Sequence, residues 1–107
     1  MNFAPSPIPE TEPPRDCPRC PRLVALRESL QAEHPDWWNG PVTAFGDPAA
    51  WLGIIGLAPA QYGANRTGRP FTGDRSAPLL FGTLAKFGLA TGEYEGKPDD
   101  TLALDGA

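Results

Sequence analysis

Residues 50–57, Ala50-Trp51-Leu52-Gly53-Ile54-Ile55-Gly56-Leu57, form an unbroken apolar run that leads at once into a polar, glycine-rich stretch, GLAPAQYGANRTGRPFTGD, from Gly56 to Asp74. A continuous apolar run, as opposed to an alternating one, suits a strand buried on both faces within a parallel sheet. A long loop opening from the carboxyl end of such a strand lies where α/β sheets bind ligands. The run predicts the fold class, α/β, and the loop predicts where its site is.

Working outward, the segment upstream reads DCPRCPRLVALRESLQAEH. Leu23, Leu26 and Leu30 fall at helical spacing, so an amphipathic helix is expected to begin near Pro21 and to end at His34, ahead of Pro35. Asn39-Gly40 and Asp47-Pro48 mark turns before the apolar run. Downstream, Ser76 is a candidate N-cap for a second helix over APLLFGTLAKFG, with Leu80, Leu84 and Phe87 as its stripe and Gly88 as its C-terminal cap. DDTLALDGA, residues 99–107, has the character of a strand beginning. A strand buried on both faces needs neighbours on each side, and the sequence offers none. The expected organisation is therefore the N-terminal half of a larger α/β domain over 16–107. A proline-rich arm over 1–15, with little to bury, is expected to be disordered.

The 107 residues carry a net charge of −4, which weighs weakly against a nucleic-acid partner. Its distribution matters more. Residues 91–107 set Lys97 against five acids, whereas the loop holds Arg66 and Arg69 with Arg75 just beyond, against Asp74 alone. A phosphate-bearing partner is permitted. The N-terminus lacks the pattern of a signal peptide, and no apolar run approaches the roughly 20 residues that span a bilayer. The chain is expected to be soluble and cytoplasmic, with no membrane partner.

The loop is neither a Walker A loop nor a dinucleotide fingerprint, since it lacks both spacings. Its glycines would let backbone N–H groups approach a ligand closely. Phe71 either stacks on a flat ring or anchors the loop to the core. Asp74 is either a reactive acid or a turn or helix-cap residue beside Ser76. Cys17 and Cys20 make CPRC, the chain's two cysteines. They read as a pair of unpaired thiols, as a redox pair at a helix start, or as half of a zinc or iron–sulfur site that usually takes four ligands.

The segments DCPRCPRLVALRE, FGDPAAWLGIIGLAPA and GANRTGRPFTGD, in that order, resemble the N-terminal half of the type-5 uracil-DNA glycosylases. These form the iron–sulfur branch of the uracil-DNA glycosylase superfamily, and the likeness covers about residues 16–90. The resemblance implies the first part of a three-layer α/β/α sandwich with a central parallel sheet. It implies base-excision repair by hydrolysis of the N-glycosidic bond of uracil, and of other deaminated bases, in DNA. Gly56, Leu57, Ala58, Pro59 and Ala60 would line the uracil pocket, Phe71 would stack on the base, and Asp74 would orient or activate the water. Asn65, Arg66 and Arg69 would meet the DNA backbone. Cys17 and Cys20 would be two of the four ligands of a 4Fe-4S cluster. The complete protein would be a monomer, and this 107-residue chain alone inactive. Two positions depart from the family: Tyr62 stands where histidine is usual, and Arg75-Ser76 where Ser-Gly is common. A non-catalytic module completed by a partner, and a thiol-redox protein built on the cysteine pair, are the other readings.

Overall fold

The computed structural model describes residues 12–107. Along them lie helix α1 (Pro21–Glu33), a short helix α2 (Ala64–Thr67), helix α3 (Ala77–Lys86) and two strands, β1 (Ala90–Thr91) and β2 (Ala103–Leu104). The strands pair antiparallel, Ala90 opposite Leu104 and Thr91 opposite Ala103. The content is α/β, with helices beside a small two-stranded sheet. No helix among the described residues is long and apolar enough to cross a membrane.

α1 starts and stops where the sequence dictates. Pro21 occupies the first turn, where a missing N–H costs nothing, and His34 ends the helix ahead of Pro35. Its leucine stripe is used only at Leu30; Leu23 and Leu26 stay about half exposed. The reason is that no other described helix or strand packs against α1. The helix is held instead through Asn39, which is buried and sits in the left-handed region at φ 48°. Its side-chain amide donates to the Leu30 carbonyl at 3.3 Å and the His34 carbonyl at 2.7 Å, and its Oδ1 accepts from Asn65 Nδ2 at 3.2 Å. Asparagine is among the few residues that tolerate this backbone.

α3 follows Ser76 as expected, although the Ser76 hydroxyl makes no capping bond. Leu84 is buried and Leu80 is half-buried against the core, as the stripe predicts, and Ala77 and Phe81 join them; Phe87, past the helix end, is 71% exposed. Ala90 and Leu102 complete that core. Gly88, at φ +76°, then lets the chain turn back, with its N–H on the Ala85 carbonyl and Leu89 N–H on the Leu84 carbonyl.

The strand expected over 50–57 does not form. Ile55 and Leu57 are fully in solvent (94% and 104%), and Trp51 is 76% exposed. The run enters no sheet; Trp51 and Leu52 donate their N–H groups to the Gly106 carbonyl at 3.1 and 3.0 Å. An apolar run becomes a buried parallel strand only when neighbours pair with it and layers cover both faces. Here the sheet among the described residues is the β1–β2 pair, which packs on α3.

Of the proline-rich arm, residues 1–11 lie outside the described residues. Glu12 and Arg15 are fastened to the body. The Glu12 carboxylate accepts from Ala44 N–H at 3.0 and 3.1 Å, and Arg15 donates to the Trp38 carbonyl at 2.6 and 3.2 Å while lying 4.3 Å from that indole's centroid.

One buried ion pair joins the middle of the chain to its end. Arg69 Nη1 and Nη2 donate to Asp100 Oδ1 and Oδ2 at 2.7 and 2.9 Å, with side-chain exposures of 6% and 0%. The guanidinium carbon lies 5.0 Å from the Phe45 ring, 6.0 Å from Phe81 and 5.9 Å from Tyr94. Asp100 also accepts from the N–H groups of Glu95 and Leu102, at 2.8 and 3.1 Å. Burial pushes its carboxyl pKa up, but the Arg69 hydrogen bonds, the two backbone donors and the Arg69 charge outweigh that and hold it below 3.8. Asp47 is also held low, by the Gly106 and then the Ala49 N–H groups.

A carboxylate whose folded pKa is depressed adds stability above its unfolded value and loses it as pH falls through the folded value. Melting midpoints should therefore drop as pH is lowered through 3.8 and below. Asp100→Asn should flatten that acid limb and cost about 3–5 kcal/mol near neutral pH, because it leaves Arg69 buried without its counter-charge. Urea melts across pH, with and without the substitution, measure both effects.

Candidate functional site

The stretch from Gly56 to Asp74 is not one open loop. It winds into α2, which Gly68 terminates in the left-handed region at φ +82°, and then doubles back through Arg69–Asp74. The return is tied down from inside. Thr67 Oγ1 donates to the Thr72 carbonyl at 2.9 Å and to the Gly63 carbonyl at 3.1 Å, and Arg69 Nε donates to Thr72 Oγ1 at 2.7 Å. Tyr94 Oη accepts the Gly73 N–H at 3.0 Å.

This folding-back creates a cleft of about 290 Å³ whose walls are Val42–Ala44, Ile54–Pro59 and Pro70–Phe71, with Asp74 at its edge. Gly56, Leu57, Ala58, Pro59, Phe71 and Asp74 therefore share one cavity. Ala60 does not line it; its carbonyl instead accepts from Gly63 and Asn65 at 3.2 and 3.0 Å, starting the turn into α2. Two glycines make the cleft possible. A side chain on Gly56 would come within 3.0 Å of the Phe71 ring, and one on Gly63 would run into the Asp74 carboxylate.

Phe71 is half-buried at φ +61°, a backbone that β-carbon sterics disfavour for a bulky residue. Its ring rests against the Ala77–Phe81–Leu84 core and also forms a wall of the cleft, so anchoring and ligand contact are compatible. Asp74 is half-buried, and its carboxylate has no hydrogen-bond or ion-pair partner among the described residues. Its backbone carbonyl accepts from Ala77 N–H at 3.2 Å, but the side chain caps nothing. The capping role that its position suggests is not realised.

The three residues expected at a DNA backbone part company. Arg69 is 5% exposed and spends its guanidinium on Asp100 and Thr72, so it presents no group to a phosphate. Asn65 spends its side-chain amide on Asn39 Oδ1 and the Gln61 carbonyl. Arg66 alone is exposed; its Nε donates to the Tyr62 carbonyl at 2.9 Å, and its side chain makes no other hydrogen bond or ion pair among the described residues.

Cys17 and Cys20 are free thiols, the first half-buried and the second exposed at the N-cap of α1. No group of three or more His, Cys, Asp or Glu side chains able to hold a metal occurs among the described residues. Two thiolates supply about half of the ligands that a tetrahedral or cluster site takes. Tyr94, Asp100 and Asn39 were not visible in the sequence as parts of the site region. No local spacing links Arg69 to Asp100, which lies 31 residues away.

The cleft thus joins a mostly apolar lining, in which Gly56 is the one glycine, to one aromatic wall and one unpartnered carboxylate. The type-5 uracil-DNA glycosylase of Thermus thermophilus is 45% identical over 95 residues, covering 84% of this chain and 43% of its own length. The type-5 enzyme of Pyrobaculum aerophilum is 45% identical over 93 residues, covering 83% and 41%. That of Mycobacterium bovis is 48% identical over 80 residues, covering 68% and 30%. No family model matches the chain. The chain is related to the type-5 uracil-DNA glycosylases across most of its length, and it spans less than half the length of these relatives.

Gly63→Ala should destabilise the fold by about 1–3 kcal/mol through its clash with the Asp74 carboxylate. Asp74→Ala alone should stay within about 0.5 kcal/mol, because nothing binds that carboxylate. Adding Asp74→Ala to Gly63→Ala should recover most of the loss. Denaturant melts of the unsubstituted chain and the three variants form the cycle.

Proposed function

We propose that this chain carries the base-binding and water-positioning part of a glycosylase that hydrolyses the N-glycosidic bond of uracil in DNA, in base-excision repair. The observation that supports it most is the placement of Phe71 and an unpartnered Asp74 on one cleft. A base flipped from the duplex would lie against Phe71, with the backbone of Gly56–Pro59 along its edge. Asp74 would hold a water toward the sugar. In the reaction the C1′–N1 bond breaks, its electron pair leaves with the uracil ring, and the water oxygen bonds to C1′ while Asp74 takes up the water's proton. A carboxylate with no other partner is free for that task. Ala58, a residue without a polar side chain, leaves Asp74 as the acid on the cleft.

In this reading the exposed run 50–57 is the first strand of a central parallel sheet in a three-layer α/β/α sandwich. Its neighbours come from a portion corresponding to the rest of the relatives' length. Cys17 and Cys20 hold one side of a 4Fe-4S cluster whose other ligands come from that same portion, and the cluster would brace the start of α1. The complete protein acts on uracil-containing DNA as a monomer in the cytoplasm.

The test joins residues 1–107 to the remaining part of a type-5 relative and follows uracil release from DNA in single turnovers. Asp74→Asn should lower the rate by about 100-fold while leaving DNA affinity and melting temperature nearly unchanged. Phe71→Ala should weaken overall efficiency by about 10- to 100-fold, through capture of the base. A fully active Asp74→Asn protein would sink the catalytic assignment and favour a non-catalytic module. In the same protein, Cys17→Ser should lose iron and the brown absorbance and lower the melting temperature; an unchanged iron content would remove the cysteines from the ligand set.

A further inference from the structure

Beside the Asp74 edge of the cleft stands an aromatic cluster that the cleft does not use. His34 stacks on Trp37 with ring centroids 3.6 Å apart and planes 4° from parallel. Tyr62 stands edge-on to both, 5.2 Å from Trp37 and 6.3 Å from His34. The cluster does not belong to the core. Tyr62 is 64% exposed, His34 and Trp37 are half-exposed, and none of them joins the buried cluster under α3.

The cluster is tied to the cleft by position. Tyr62 is followed directly by Gly63, the residue on which the Asp74 carboxylate rests. The Tyr62 carbonyl accepts from Arg66 Nε at 2.9 Å, which turns that guanidinium toward Gly73; a side chain on Gly73 would lie 3.2 Å from Arg66 Nη2. The exposed Tyr62 and the exposed Arg66 are thus joined through the Tyr62 carbonyl, one residue from the glycine that meets the Asp74 carboxylate.

Rings in water gain by stacking, and a guanidinium with free donors pairs with phosphate. A nucleotide supplies both partners at once, a flat base and the phosphate next to it. An apolar peptide would match the rings but leave the Arg66 charge unanswered. We propose that Tyr62 and Trp37, with Arg66, form a stacking subsite for an unpaired base that flanks the cleft. The subsite grips the strand next to the nucleotide that enters the cleft and reads no sequence, because every base has a π-face. It rests on the glycosylase reading only for the nature of that neighbouring nucleotide.

The subsite is tested with the 107-residue chain and a fluorescently labelled single-stranded oligonucleotide that contains no uracil. Tyr62→Ala should weaken binding about tenfold, while Tyr62→Phe, which keeps the ring, should bind within twofold of the unsubstituted chain. Arg66→Gln should make the dependence of log affinity on log salt shallower by about 0.7, the share of one phosphate on a single strand. Equal affinity of Tyr62→Ala and the unsubstituted chain, or no binding by either, overturns the proposal. Tyr62-dependent binding by this chain, alongside a failure of the protein joined to a relative's remaining part to release uracil, overturns the glycosylase reading alone. Uracil release by that joined protein, alongside Tyr62-independent binding here, overturns the subsite alone.

Discussion

The described structure hangs on one guanidinium sealed among three aromatic rings. Arg69 follows directly on Gly68, which ends α2, and Asp100 lies just before Leu102 and β2, so their two-pronged bond fixes the returning half of the glycine loop to the far end of the chain. The bond sits between Phe45, Phe81 and Tyr94, which bury the charges and stack against them at 5.0–6.0 Å. A buried pair is not a generous source of net stability, since desolvation offsets much of its Coulomb attraction. Its value here is geometric. With two carboxylate oxygens and four donors accounted for, the segment from Arg69 to Thr72 has one place to sit, and the cleft wall follows from it.

That fixity explains how Phe71 holds a left-handed backbone. A bulky residue there costs about 1–3 kcal/mol and persists only where its surroundings over-determine it. On its N-terminal side stands the Arg69–Asp100 bond. On its C-terminal side, Thr67 takes the Thr72 carbonyl and Tyr94 takes the Gly73 N–H. Held at both ends, Phe71 is turned to face the cleft and the core together, and Asp74 is delivered onto Gly63. The strain and the site are consequences of the same constraints.

Much of this was legible in the sequence where the signal is local. Pro21 and His34-Pro35 bounded α1, Ser76 and Gly88 bounded α3, and most of the loop residues singled out line one cleft because they share one short stretch. Long-range partners were not legible. Arg69 looked like a free cation because Asp100 lies 31 residues on, in a segment that reads only as acidic. The stripe of α3 was right at Leu84 and Leu80 but missed Ala77 and Phe81 and included the exposed Phe87, because Ala90 and Leu102, which complete the core, carry no periodic signal of their own. Asn65, expected at the DNA backbone from the resemblance, has its amide committed to Asn39, 26 residues away.

The run 50–57 is the instructive disagreement. Its composition is that of a core strand, and its surroundings leave Trp51, Ile55 and Leu57 in water. Covering side chains of that size is worth about 1.5–3 kcal/mol each, more than a typical surface hydrogen bond. Sequence and packing therefore pull in different directions at one place, and that place is also a wall of the cleft, from Ile54 to Pro59. The other walls are set by bonds inside the described residues: Glu12 on Ala44, Arg69 on Asp100, Thr67 on Thr72. This wall, from Ile54 to Pro59, makes no such bond among the described residues. A sheet closing over residues 50–57, as the proposed sandwich requires, would bury the apolar side chains and fix the glycine backbone opposite Phe71 in a single step. Completing the core and completing the site would then be the same event, with the polar network around Arg69 supplying the half that is already rigid.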